Sequence, residues 1–211
     1  VSVDSAGTEG DLWSNAPSIS SDGRYVAFAS AARNLVPNDT NTDGDVFVHD
    51  RDTQTTTRAS VDSVGAEADN HSFAPAISDD GRYVAFHSLA TDLVPGDTNT
   101  RADVFVRDRQ AGTTSRLSVA DDWTQGDYAS EYPSMSTDGR HVAFESTATN
   151  LVPADTNSTA DVFVAINFPT ITGVTPAIGP AAGGTSVTIT GTGFVGLSGE
   201  SAVTFGGTPA T

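Results

Sequence analysis

The residues best suited to chemistry are the acids of Asp39-Thr-Asn-Thr-Asp-Gly-Asp45. Asp39, Asn41, Asp43 and Asp45 place side-chain oxygens at alternate positions, directly ahead of Val46-Phe-Val48. In a tight loop bent at Gly44, such oxygens can all turn inward on one hard cation. Ca²⁺ suits them, because it accepts roughly six to eight oxygen ligands in flexible geometry. The pattern returns with Asp97, Asn99 and Asp103, and again with Asp155, Asn157 and Asp161. The fifth loop position is Asp43 in the first copy, Arg101 in the second and Thr159 in the third. The first copy is therefore the fullest ligand set, and a carbonyl or water would have to fill that position in the others. The competing reading is that Asp and Asn make solvated turns closed by their own side chains.

These loops belong to a repeat. Asp39, Asp97 and Asp155 are 58 residues apart, and residues 1–168 hold three copies of the unit without insertion. Asp22-Gly-Arg-Tyr-Val-Ala-Phe28 returns at Asp80 and, with His141 for Tyr, at Asp138; Leu35-Val-Pro37 returns at Leu93 and Leu151. A period of this size signals a solenoid, a propeller or an array. Each unit reads as four short strands: Pro17–Ser20, Tyr25–Ser30, Asp45–Asp50 and Thr55–Val61 in the first. Asp22-Gly23 supplies the first turn, the acidic loop joins strands two and three, and Arg51–Gln54 the last turn. Four antiparallel strands per unit make the blade of a β-propeller. Tyr25, Phe28 and Phe47 fall at core positions, and Arg24 is expected to pair with an acid between blades.

Pro-Ser-Ile-Ser-Ser-Asp-Gly-Arg-Tyr-Val-Ala-Phe28 followed by Asp-Val-Phe-Val-His-Asp-Arg51 resembles the TolB-type propeller repeat. The resemblance implies propeller blades over roughly residues 1–166. It says little about function, since such blades serve translocation proteins, peptidase accessory domains and other secreted bacterial proteins. The loop of residues 31–44 is longer than in the plain repeat and resembles the Asp-x-Asn-x-Asp-Gly calcium loops of some other propellers. The chain opens on Val1-Ser-Val3, the end of a fourth strand, whereas unit three runs from Asp161–Phe168 into new sequence without one. Three expectations follow: two chains closing a six-bladed ring, blades missing upstream, or head-to-tail strand exchange into a filament.

From Pro169 the composition changes. Pro169-Thr-Ile-Thr-Gly-Val-Thr-Pro176, Gly183-Gly-Thr-Ser-Val-Thr-Ile-Thr-Gly-Thr-Gly-Phe194 and Val203-Thr-Phe-Gly-Gly207 resemble the opening of an IPT/TIG domain, an immunoglobulin-like sandwich. Residues 169–211 hold about half of one, so a longer protein, or another element completing the sheet, is expected. The fold class is therefore all-β: three propeller-type blades over 1–168 and the start of an Ig-like sandwich over 169–211.

The 211 residues carry 10 basic and 27 acidic side chains, a formal charge of −17. That balance argues against nucleic acid or an anionic membrane surface as partner. There is no Cys, hence no disulfide framework or thiolate chemistry. No apolar run is long enough for a membrane helix, and no leader sequence is recognisable; if the chain is secreted, its leader has been removed. His49, His71, His87 and His141 share no repeat position and form no zinc-binding spacing. No nucleophile elbow or phosphate loop is present. The acidic groups repeat threefold, whereas a catalytic pair needs one singular site with two different environments. The expectation is thus a non-enzymatic, calcium-binding structural or adhesive module, extracellular or on a bacterial cell surface. Its expected partners are further copies of itself, by strand exchange between chain ends, or another surface protein or glycan. The alternative is an accessory or carbohydrate- or protein-binding propeller of a larger secreted enzyme. Trp13, Phe73, Trp123, Tyr128 and Tyr132, in the segments joining units, are the aromatics that could stack on sugars; packing between blades is the simpler role.

Overall fold

The computed structural model describes residues 2–157, 159–168, 170–176, 187–192, 204–205 and 208–209. The chain divides into two compact units, one of Val1–Ala120 with Thr124–Asn167 and one of Asp121–Trp123 with Phe168–Thr211. The first holds three antiparallel sheets in register with the repeat. Blade 1 has the order β1 (Ser14–Ile19), β2 (Tyr25–Ser30), β3 (Asp45–Asp50), β4 (Thr55–Arg58). Blade 2 repeats it with β5 (Ser72–Ile77), β6 (Tyr83–Ser88), β7 (Asp103–Asp108) and β8 (Thr113–Arg116). Blade 3 has only β9 (Ser130–Met135), β10 (His141–Ser146) and β11 (Asp161–Ile166). The first strand of each blade begins earlier than the sequence suggests, because Pro17 sits within it. The chain accommodates that proline by a bulge: Ala16, Ala74 and Tyr132 take positive φ (48°, 46°, 52°) where the registers shift. A bulge is one of the few places a strand proline is tolerated.

The first turn of each blade is closed by side chains. Ser20 Oγ donates to Asp22 Oδ1 (2.6 Å), which also accepts from the Arg24 N–H (2.9 Å), while Tyr25 N–H donates to Ser20 Oγ (2.9 Å). Ser78–Asp80 and Ser136–Asp138 repeat the device. On one face of every blade two phenylalanines stack, with ring centroids 5.9 Å apart: Phe28 on Phe47, Phe86 on Phe105, Phe144 on Phe163. The opposite face is small and branched. Ala27, Val46 and Val48 of blade 1 pack on Ile77, Val84, Phe86 and Phe105 of blade 2 in one buried cluster. Tyr25 lies flat on the turn of the next blade. Gly81 there has φ +68°, and a Cβ on it would lie 2.2 Å from the Tyr25 ring. Arg109 clamps this joint, donating to the Gly81 carbonyl (2.6 Å) with its guanidinium over Tyr25 (5.5 Å).

In the second unit β12 (Thr170–Thr175) pairs antiparallel with β13 (Thr188–Thr192), and the two-residue strands β14 (Thr204–Phe205) and β15 (Thr208–Pro209) pair with each other. β13 lies within the Gly183–Phe194 motif; most of residues 193–211 lie outside the described residues. The 58-residue period would place the fourth strand of blade 3 at residues 171–177. In the structure β12 joins a different sheet instead.

Candidate functional site

The acidic loops are short and sharply bent, and each is fixed by its asparagine. Asn41 Oδ1 accepts from the Asp43 N–H (3.0 Å), while its Nδ2 donates to the Ala68 carbonyl (3.0 Å) and faces Asp45 Oδ2 (3.4 Å). Asn99 does the same with Arg101 N–H (2.8 Å), Gly126 O (2.8 Å) and Asp103 Oδ2 (3.1 Å). Asn157 bonds to Thr159 N–H (2.9 Å) and Asp161 Oδ2 (3.0 Å). A backbone N–H needs an acceptor, so each asparagine commits its oxygen to the loop backbone and presents its amide N–H to Asp45, Asp103 or Asp161, the wrong polarity for a cation ligand.

Of the acids in the first loop, Asp39 and Asp45 converge and Asp43 does not. Asp43 Oδ1 lies 3.1 Å from Nε2 of His71, whose Nδ1 accepts from the Gly44 N–H at 2.7 Å. This pins the loop to the segment that leads into blade 2. Between Asp39 and Asp45 stands Arg58, the last residue of β4. Its Nη2 is 3.1 Å from Asp39 Oδ2, its Nε is 3.4 Å from Asp45 Oδ2, and its Nη1 is 2.5 Å from Glu67 Oε2. Glu67 comes from the start of the following repeat and also accepts from Thr40 N–H (3.2 Å) and the Thr40 hydroxyl. Blade 2 repeats the arrangement with Arg116, which is 3.3 Å from Asp97 Oδ1 and 3.4 Å from Asp103 Oδ2. There Gln125 replaces Glu67 and donates to Asp97 Oδ1 at 2.9 Å.

A serine completes each site. Ser60 Oγ donates to Asp45 Oδ1 (2.6 Å) and accepts from Val46 N–H (3.0 Å); Ser118 does the same for Asp103 and Val104. Burial nevertheless dominates the electrostatics. It pushes Asp45 up to about 6 despite Arg58 and Ser60, and raises Asp39, Asp97 and Asp103 as well. Glu67 goes the other way: burial opposes it, but hydrogen bonds from Thr40 and Arg58 bring it to about 2.

One ligand atom from each of Asp39, Asp45 and Glu67 lies within 4.8 Å of the others, the geometry of a small metal-binding group. Asp39 Oδ1 is buried without a hydrogen-bond partner. The oxygen chemistry fits calcium, but Arg58 stands among these carboxylates, so the cation would have to displace it. Sequence reasoning missed Arg58, Arg116, Glu67 and Gln125. The signal was there, since the Arg pair and the Glu67–Gln125 position both keep the period.

Among the described residues, blade 3 keeps the loop without a guanidinium between its acids. Asp155, Asn157 and Asp161 line a groove of about 260 Å³ together with Val152, Pro153 and Phe163. Arg24, expected to pair between blades, instead holds Asp50 of its own blade (2.8 Å), and Arg82 holds Asp108 (2.7 Å). The hydrogen bond from Arg24 is the main reason Asp50 sits well below the usual carboxylate range. The chain start is engaged with blade 1: Thr56 Oγ1 donates to the Val3 carbonyl (2.5 Å) and Thr56 N–H to Ser5 Oγ (3.0 Å). Among the joining aromatics, Phe73 lies between His71 and His87 (5.5 Å each), and Tyr132 meets His87 edge-on at 5.4 Å. Trp13 and Trp123 stay about half exposed (45% and 50%). His87 is buried between blades 2 and 3, and that burial lowers it to about 4.

Residues 169–211 match the IPT/TIG domain family. Among solved structures, the chain is similar to TolB from Acinetobacter baumannii, with a TM-score of 0.45 and 19% identity, over 76% of this chain and 31% of that one. It is also similar to a putative TolB from Agrobacterium tumefaciens (TM-score 0.42, 17% identity, 74% of this chain and 50% of that). A third likeness is the β-propeller domain of the Trilobed protease from Pyrococcus furiosus (TM-score 0.39, 11% identity, 76% and 45%). The chain thus spans half or less of the length of these relatives. No curated protein matches the sequence. The chain's own strands make it all-β, with blade-like antiparallel sheets ahead of the segment that matches the TIG family.

Proposed function

We propose that this chain is a non-catalytic binding or assembly module, extracellular or cell-surface, that works through the end faces of its blade array. One observation carries the reading. Val162, Val164 and Ile166 of β11 are 73%, 65% and 39% exposed, whereas Val46 and Val48 at the first two positions in blade 1 are fully buried under blade 2. At the other end, Ile19 of β1 is 59% exposed, whereas its counterpart Ile77, packed on blade 1, is 7% exposed. The two open faces are the two halves of a joint that the molecule already makes twice. A second copy, its blade 1 against blade 3 of the first, would bury both. Such a contact is heterologous, giving a ring if the rotation closes and a filament if it does not. The chemistry-bearing side chains support a structural role, because they are spent on one another: Arg24 on Asp50, Arg58 on Asp39 and Asp45, Ser60 on Asp45.

Calcium enters this reading as a substitute. When the guanidinium leaves, Asp39, Asp45 and Glu67 are the carboxylates that would hold it, neutralising the loop and stiffening the blade. The test of assembly is sedimentation of the wild type against Val164→Asp and Ile19→Asp. Concentration-dependent association abolished by either variant supports the proposal. A wild type that stays monomeric at every concentration overturns it.

A further inference from the structure

The threefold repeat exposes its own departures, and several of them gather where the first acidic loop meets the segment entering blade 2. One repeat position holds Trp13, His71 and Ala129 in the three copies, another Asp43, Arg101 and Thr159, and the next Gly44, Ala102 and Ala160. Trp13, Asp43, Gly44 and His71 thus all differ from their copies, and the structure brings the four together.

Gly44 is the seat of the indole. A Cβ on it would lie 3.0 Å from Cη2 and 3.4 Å from Cζ2 of Trp13, and 3.7 Å from Nδ1 of His71. The alanine of the other two loops would push the ring off. His71 is held through both ring nitrogens. Its Nδ1 accepts from the Gly44 N–H at 2.7 Å, so its proton sits on Nε2, which donates to Asp43 Oδ1 at 3.1 Å. Asp43 commits Oδ1 to the imidazole, and Oδ2 has no hydrogen-bond partner among the described residues. The group is open to solvent: Trp13 is 45% exposed, and the side chains of His71 and Asp43 are 40% and 25% exposed. The free face of blade 1 is not the cause. His71 holds the position of Trp13 in a blade packed on both sides, and it is as open.

We propose that Trp13 and Asp43, with His71 as positioning residue, form a binding site for a neutral sugar ring of a glycan chain. The C–H face of a pyranose covers the indole, the large flat apolar surface of the site. A ring hydroxyl donates to Asp43 Oδ2, an atom that can only accept. The formal charge of −17 selects against uronate, sulfated and phosphorylated sugars. A cationic ligand is disfavoured as well, because the other carboxylates of this loop, Asp39 and Asp45, already face Arg58. The site sits on loops held by a rigid scaffold, where binding residues commonly lie, and it is independent of self-association.

The test titrates the full chain with cellohexaose, maltohexaose and mannohexaose by calorimetry, with hexagalacturonate and a hexalysine peptide as charged controls. Saturable binding of at least one neutral oligosaccharide is expected. It is lost in Trp13→Ala and weakened about tenfold in Asp43→Ala, the cost of a hydrogen bond to a charged group. Trp123→Ala, at an indole of similar exposure outside the site, should bind as the wild type does. Gly44→Ala, which displaces the ring and keeps its chemistry, should also weaken binding, and it keeps the test decisive if Trp13→Ala fails to fold. No saturable binding of any neutral oligosaccharide, binding that survives Trp13→Ala, or tighter binding of either charged control overturns the proposal.

Discussion

Blades 1 and 3 share the motif Asp-x-Asn and the same valine-phenylalanine strand, yet their acidic loops are in different states. In blade 1 the loop is closed from two sides, by Arg58 and Ser60 of its own fourth strand and by Glu67 of the next repeat. In blade 3 neither closure is present among the described residues, and Phe163 is only half buried where Phe47 is fully buried. The difference shows that the local motif does not decide how its charge is balanced. A strand edge and one guanidinium decide it, and both come from elsewhere in the chain.

The largest effect is expected at Arg58. Its side chain is 7% exposed and faces carboxylates that are themselves buried. Arg58→Ala should cost about 3–5 kcal/mol in urea unfolding, the usual cost of removing one partner from a buried ion pair. Asp161→Asn, at the open counterpart of Asp45, should change stability by less than about 0.5 kcal/mol, as for a surface substitution. Equal losses would show that the two loops are not in different states.

Next in size is the joint between blades. Gly81→Ala meets the Tyr25 ring at 2.2 Å on a residue with φ +68°, whereas a Cβ on Gly23 (φ +72°) finds nothing closer than the tip of Arg51 at 3.6 Å. Both substitutions carry the left-handed backbone penalty of about 1 kcal/mol. Gly81→Ala should add a further 1–3 kcal/mol or so of overpacking. Thermal unfolding of the pair measures the packing of blade 2 on blade 1.

Asp45 and Asp50 respond to pH in opposite senses. Asp45 titrates at about 6 in the folded chain against an ordinary 3.8. Its raised value means that the folded state holds the proton more tightly. Asp45 therefore contributes a stability that is full below 3.8 and is lost as pH rises to about 6. The loss is on the order of 1–3 kcal/mol by linkage. Asp45→Asn should flatten that part of the stability profile. Asp50 works in the opposite sense: its value is lowered, so its contribution is present at neutral pH and lost in strong acid.

Much of this molecule could be read from its residues. The 58-residue period, the Asp-Gly turns and the alternation of Tyr25–Ser30 define the blades, because local turn chemistry and strand period agree there. The acidic loops were legible as sites of concentrated charge. Their closure was not, because it depends on long-range placement. Arg58 lies 13 residues beyond Asp45 in sequence but beside it across the β3–β4 ladder, and Glu67 belongs to another repeat. The roles of Asn41 and Asp43 were equally hidden, since a side-chain oxygen in a loop can face inward or bind the next N–H, and only the backbone path decides. Val162 and Val46 are the same residue at the same repeat position, so their contrast in exposure comes entirely from neighbours.

The most direct measurement is the melting temperature of the Asp161→Asn chain and of the same chain carrying Arg58→Ala, each in calcium and in chelator. If Arg58 is the counter-charge of the first loop, the first protein melts at the same temperature in both, and calcium stabilises only the Arg58→Ala protein, whose three carboxylates are then free to take it. If chelation lowers the melting temperature of both proteins equally, a cation balances these carboxylates with the arginine in place, and the account given for the loops is wrong.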